Sequence, residues 1–271
     1  KCIASIGAGN EHSVFVDTSG KVYVCGYNEN GQCGLGTTVQ ARQLSQVQTL
    51  ENEFISKIHI YNGCEHTLAV TKEGKLYSFG YNYRGQLGLG NTNTESSPKL
   101  VRSLMSRRVI LCASSYHHSL ILCSDGGLFS FGRNDCGQLG HGDSIDKKTP
   151  QLVANSPKEV VTMSCGQFHT ILSVGSGAAY ACGKNDYGQL GLDVTEVVRI
   201  FTKLPAFSEG NLVQQVCCGY YHTLVLLQNG VVTGFGRNDY GQLGLGHTQP
   251  RVSGYHAITS LRDKNVMSIA A

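Results

Sequence analysis

Five histidines stand in register along this chain. His12, His66, His118, His169 and His222 are each followed by Ser or Thr, and each precedes by 19 residues the first glycine of a Gly-Gln-x-Gly core, at Gly31, Gly85, Gly137, Gly188 and Gly241. Recurring imidazoles could hold metal or move protons, and glycine-rich loops can cradle phosphate. Neither chemistry fits the pattern. A zinc site needs further ligands at fixed short spacing, and none recurs beside the histidines. Phosphate loops open a helix and place a lysine at a set offset, whereas strand-like runs flank these loops and no Lys follows. No carboxylate pair or Ser-His-Asp constellation stands out. The expectation is therefore no catalytic residue, no cofactor and no metal, with each histidine hydrogen-bonded to backbone inside its own repeat.

Eleven cysteines suggest disulfides at first sight, but the number is odd and no C-x-x-C occurs. Cys25 and Cys182 occupy repeat positions held elsewhere by Phe79, Phe131 and Phe235, and Cys33 stands where Leu87 does. They read as small buried hydrophobes of a reducing compartment. The composition, 41% hydrophobic and 15% charged, is that of a globular protein, and a net charge of +3 argues for no polyanionic partner. No apolar run approaches the roughly 18 residues of a membrane span, and no signal peptide or glycosylation sequon is present. A cytoplasmic or nuclear location is expected.

The elements that must position these residues follow from the repeat. Successive histidines lie 54, 52, 51 and 53 residues apart, so all length variation falls in the connectors. In the first repeat Cys2–Gly9, His12–Val16 and Val22–Cys25 read as strands, with Thr18-Ser19-Gly20 turning between the last two; a glycine marks the same turn in every repeat. The second strands are apolar at consecutive positions, as in Leu68-Ala69-Val70 and Leu120-Ile121-Leu122, which requires cover on both faces. A weaker fourth strand is expected around Gln43–Val47, Pro98–Val101, Gln151–Val153 and Thr202–Leu204, outermost because Pro98 and Pro150 lack the N–H of an inner ladder. Four antiparallel strands packed face to face with copies of themselves make a propeller blade, hence an all-β fold in one domain, 1–271.

The pattern Gly-x-x-His-[Ser/Thr], a hairpin, then Gly-x-Asn-x-x-Gly-Gln-Leu-Gly-x-Gly resembles the repeat of the regulator of chromosome condensation family. It covers the whole chain in five copies, approximately 1–54, 55–106, 107–157, 158–210 and 211–263, and 264–271 repeats the phase of the first strand. Departures are Cys33, Ser115, His141 and Asp193, each in one copy. The resemblance implies four-stranded blades and a seven-bladed ring, so about two further repeats are expected beyond the ends in a longer parent protein.

Function is expected where the repeats differ. On the face that carries the glycine loops, Tyr116-His117, Phe168 and Tyr220-Tyr221 precede the histidines of repeats three to five, and Arg133, Lys184 and Arg237 begin the nearby loops. Aromatics and Arg anchor protein interfaces, and loops on a rigid scaffold present them. The competing structural role is pairing with Asp135, Asp186 and Asp239 two residues on. The resemblance implies a non-catalytic protein-interaction platform in a large regulator such as a ubiquitin ligase; the alternative is a guanine-nucleotide exchange factor for a Ran-like or Arf-like GTPase. Whether a parent protein is itself a ligase or a kinase is left open. The exchange activity of the family's founding member uses a protruding β-wedge. Connectors of 35, 33, 32 and 34 residues from each core glycine to the next histidine leave no room for one. The family's plant ultraviolet-B photoreceptor needs a tryptophan cluster, and this sequence has no Trp.

Overall fold

The structure is a computed structural model that describes residues 2–61, 63–207 and 211–271. Its contacts divide it into two compact units, one of residues 1–133 and 146–152 and one of residues 134–145 and 153–271.

The first unit holds three four-stranded antiparallel sheets. They are β1 (Ile3–Ala8), β2 (His12–Asp17), β3 (Val22–Gly26) and β4 (Ala41–Gln46); β5 (Ile55–His59), β6 (His66–Thr71), β7 (Leu76–Gly80) and β8 (Glu95–Leu100); and β9 (Val109–Ser114), β10 (His118–Cys123), β11 (Leu128–Gly132) and β12 (Lys147–Leu152). The second unit holds two more: β13 (Val160–Cys165), β14 (His169–Val174), β15 (Ala179–Gly183) and β16 (Val198–Lys203); then β17 (Val213–Cys218), β18 (His222–Leu227), β19 (Val232–Arg237) and β20 (Arg251–Val252). Strand order follows chain order in every sheet. The only helical turns among the described residues are three of three residues each.

Burial shows why the second strands are apolar throughout. Every residue of β6, β10 and β14 is buried. In β6, Ala69 packs into a cluster with Val14, Val24 and Ile58, while Leu68 and Val70 face the other way into a cluster with Val109, Ile121 and Phe131. A strand wet on one face could not do this. The glycine-loop leucine joins the same packing: Leu190 sits fully buried with Val216, Val225 and Phe235 of the following sheet. Burying such a side chain contributes about 1.5–3 kcal/mol.

Turn chemistry fixes the hairpins. Gly20 adopts φ +79, its N–H donates to the Asp17 carbonyl at 2.9 Å, and a Cβ there would meet Phe54 Cγ at 2.7 Å. The Asp17 carboxylate locks the turn by accepting from Ser19 N at 2.9 Å and Ser19 Oγ at 2.6 Å.

The glycine loops are closed by their Asn and Gln. Asn185 Oδ1 accepts from Leu190 N at 2.8 Å, and Gln189 Oε1 accepts from Tyr187 N at 2.9 Å. The same two bonds recur at Asn28 with Cys33, at Asn82 with Leu87 and at Gln86 with Arg84. The asparagines act as caps; among the described residues the non-Gly positions with positive φ are Glu159 and Asp263.

Three expectations change. The outer strands β8, β12 and β16 begin three to four residues earlier than anticipated; the first residues of β8 and β12 are polar and carry no apolar signal, whereas β16 opens on Val198-Arg199-Ile200-Phe201. Pro98 and Pro150 do lie on edge strands, each paired on one side only. Residues 264–271 carry no strand: a strand exists through its ladder, and among the described residues no strand pairs with this stretch. Instead Ile269 is held by the side chain of Gln215, whose Oε1 accepts from Ile269 N at 3.1 Å and whose Nε2 donates to Ile269 O at 3.0 Å.

Three of the histidines bond a hydroxyl of the next sheet rather than backbone within their own. His12 Nε2 lies 3.1 Å from Thr67 Oγ1 and His66 Nε2 lies 3.0 Å from Ser119 Oγ in the first unit; His169 Nε2 lies 3.0 Å from Thr223 Oγ1 in the second. Each acceptor belongs to the next sheet. Those hydroxyls donate onward to the carbonyls of Gln32, Gln86 and Gln189 at 2.8–2.9 Å, so their oxygens accept and Nε2 carries the proton. The reason is geometric: the neutral ring lies across the gap between sheets, with Gly9 and Gly166 making room for it. A Cβ at those positions would fall 2.3 and 2.0 Å from ring carbons. In the third repeat Ser115 replaces the glycine, and its Oγ sits 2.7 Å from His118 Nδ1.

Candidate interaction surface

The loop before each histidine and the start of each glycine loop are tied together by one backbone hydrogen bond per repeat. Lys184 N donates to Phe168 O and Arg237 N to Tyr221 O, both at 2.9 Å, in the second unit. In the first, Arg133 N donates to His117 O at 2.9 Å, Tyr81 N to Glu65 O at 2.9 Å and Tyr27 N to Glu11 O at 2.8 Å. The glycine before each donor makes the approach possible: a Cβ on Gly183 would meet Phe168 O at 2.3 Å. Side-chain neighbours on this face are thus set by the backbone.

In the second unit that clamp assembles Phe168, Lys184, Tyr220, Tyr221 and Arg237, five of the residues singled out from sequence. Phe168 and Tyr221 stack with centroids 5.9 Å apart and planes 18° from parallel, and Tyr220 meets Tyr221 edge-on at 5.1 Å. Lys184 Nζ lies 5.6 Å from the Phe168 centroid, and the Arg237 guanidinium lies 5.5, 5.9 and 5.3 Å from the rings of Tyr187, Tyr221 and Tyr240. Pairing with Asp occurs as well. Lys184 Nζ is 2.8 Å from Asp186, and Arg237 grips Asp239 with Nε at 2.8 Å and Nη2 at 2.7 Å. The hydrogen bond to Asp186 holds the Lys184 ammonium above its ordinary range; burial alone would raise the Asp186 carboxyl, but the bonds from Lys184 and Gln189 outweigh it and lower it. The clustering of aromatic rings around the cations and the ion pairing with Asp, posed as competitors, coexist here.

Tyr116, His117 and Arg133 belong to the first unit. Tyr116 stands edge-on to His117 at 4.5 Å, and Tyr81 lies 5.7 Å from the same imidazole. Here the chemistry of the first two repeats inverts: the clamp joins a tyrosine on the glycine loop to a glutamate before the histidine. Tyr116 Oη donates to Glu65 at 3.3 Å, and Asn30 Nδ2 donates to the same carboxylate at 3.1 Å.

The sequence reading missed Tyr187 and Tyr240, which complete the cage around Arg237, and Tyr81 with Tyr83, whose rings are 4.8 Å apart. A signal existed: Lys/Arg-Asn-Asp-Tyr immediately precedes Gly188 and Gly241. Among the described residues no three His, Cys, Asp or Glu groups gather to hold a metal, and no helix is long and apolar enough to cross a membrane.

Comparison with known proteins places this geometry. The chain is 34% identical over 254 residues to the ultraviolet-B receptor UVR8 of Arabidopsis thaliana, covering 92% of this chain and 56% of that one. It is 31% identical over 266 residues to the human E3 ubiquitin-protein ligase HERC2, covering 97% of this chain and 6% of the ligase. It is 34% identical over 311 residues to mouse HERC4, a probable E3 ubiquitin-protein ligase, covering 93% and 29%. The chain therefore spans about half of UVR8 and a small part of the HERC proteins. Among solved structures, human WBSCR16 superposes with a TM-score of 0.82 at 25% identity, covering 94% of this chain and 67% of the other. Prp20p of Saccharomyces cerevisiae, a protein with binding properties to Gsp1p and histones, gives 0.82 at 20% identity over 99% and 67%, which speaks to the propeller fold alone. A family model described as RCC1-like domain matches residues 1–271, and the chain belongs to that family of β-propellers.

Proposed function

We propose that this RCC1-like propeller is a non-catalytic protein-interaction platform, acting in the cytoplasm as one domain of a larger regulator such as a ubiquitin ligase. The carrying observation is the row of Phe168, Tyr221, Tyr187 and Tyr240 threaded by Lys184 and Arg237. Tyr220 and Tyr240 remain 48% and 81% exposed, so ring surface of the kind that anchors partners faces solvent. The ligase setting is supported by the likeness to HERC2 and HERC4.

The test is quantitative affinity capture with the wild-type chain and a Tyr220→Ala/Tyr240→Ala variant, alongside nucleotide release from purified Ran-like and Arf-like GTPases. A defined protein retained by the wild type and lost by the variant is the expected result. Identical captured sets would remove the surface from consideration, and accelerated nucleotide release would replace the platform with an exchange factor.

A further inference from the structure

We infer that the aromatic row of the second unit is a docking site for a proline-rich segment in the polyproline II conformation. This deepens the platform reading and rests on it.

The charge state of the row selects the class of ligand. Both of its cations are already neutralised, Lys184 by Asp186 at 2.8 Å and Arg237 by a two-point contact with Asp239 at 2.7–2.8 Å. The Arg237–Asp239 fork is the stronger kind of charge-assisted pair, and at both cations a phosphate or carboxylate ligand would have to compete with an aspartate already in place. An uncharged ligand displaces nothing. The complement to this surface is therefore neutral.

Ring geometry narrows it further. Tyr220 stands edge-on to Tyr221, 72° from its plane, and Tyr221 in turn stacks nearly parallel on Phe168, so Tyr220 stands as a ridge beside the stacked pair rather than extending a flat platform. Tyr240 projects beside Arg237 with 81% exposure. Pyrrolidine rings spaced along a left-handed helix of three residues per turn pack against exposed aromatic ridges of this kind, and they arrive pre-ordered, so little chain entropy is lost on binding.

Hydrogen bonding points the same way. The Tyr220 hydroxyl accepts from Gln167 Nε2 at 2.7 Å and so keeps its own hydrogen to give. A proline segment has no backbone N–H to satisfy and presents unpaired carbonyls, the matching partner for hydroxyl donors.

The experiment is fluorescence anisotropy of labelled decaproline titrated with the 271-residue chain, beside a Gly-Ser peptide of equal length and a ten-residue oligothymidylate. The expected result is saturable binding of decaproline about tenfold tighter than the Gly-Ser peptide. Tyr220→Ala and Tyr240→Ala should each weaken it about fivefold or more, while Tyr83→Ala, an exposed ring of the first unit, leaves it unchanged. Unfolding midpoints equal to wild type establish that the variants fold. Equal affinity for the two peptides, or no effect of Tyr220→Ala and Tyr240→Ala, overturns the inference. Tighter binding of oligothymidylate also overturns it and makes the row a base-stacking surface. Failure of decaproline with tyrosine-dependent protein capture intact defeats this inference alone; failure of both defeats the platform reading as well.

Discussion

His66 Nε2 donates to Ser119 Oγ at 3.0 Å, from one sheet to the next, and Ser119 passes its own hydrogen to the Gln86 carbonyl at 2.9 Å. Three groups that would each be costly to bury unpaired are thus satisfied together. Ser119→Ala leaves the imidazole N–H and the carbonyl without partners and is expected to cost about 2–4 kcal/mol. Urea unfolding measures it; a loss near zero would show that the bond carries no weight.

The same burial sets the response to acid. Desolvation pushes His66 and His169 down to about 3 and His12 down to about 4, against an unfolded value of 6.5. The unfolded chain then binds more protons than the folded one between those values, so stability is complete above about pH 6.5 and falls as pH drops toward 3–4. At pH 5 each such histidine is expected to cost up to about 2 kcal/mol. Melting temperatures of wild type and His66→Gln from pH 7.5 to 5 should diverge, with the flatter profile in the variant. Parallel profiles would mean that His66 titrates normally.

Leu139 heads the glycine-loop packing of the second unit and is fully buried. Leu139→Ala is expected to cost about 2–5 kcal/mol, through lost transfer energy and the cavity left behind. An unchanged melting temperature would place the side chain outside the core.

Two hairpin glycines separate strain from crowding. Gly177 and Gly230 share φ near +80, yet a Cβ on Gly177 would meet Leu212 at 2.6 Å while Gly230 has nothing within 4 Å. Gly230→Ala should cost about 1 kcal/mol from backbone strain, and Gly177→Ala should cost clearly more. Equal losses in denaturant would show that the neighbour yields freely.

Thiol reactivity follows exposure. Cys2 is exposed, whereas Cys33 and Cys218 are buried, with desolvation raising both to about 12. A thiol-reactive chromophore should titrate Cys2 quickly, half-buried Cys25 and Cys136 slowly, and all eleven cysteines only after denaturation. Rapid reaction of the full set in the native protein would contradict the packing.

Much of this was legible in the sequence, for physical reasons. Local signals such as the turn glycines, the capping asparagines and the unbroken apolar second strands each act within a few residues, so the five sheets could be read from them. The destination of the histidine N–H was not legible, because its acceptor lies more than fifty residues away and no local pattern marks it. Likewise Phe168 and Tyr221 were visible as candidates, but the cage of Tyr187 and Tyr240 around Arg237 arises from a backbone clamp between separate loops.

The hydroxyl bridges carry an evolutionary corollary. Since donor and acceptor sit in different copies of the motif, a change at one copy alters what its successor can tolerate; Thr67 answers to His12, and Ser119 to His66. Repeats so linked cannot drift independently, and swapping one copy for another should succeed only when the bridging pair travels with it.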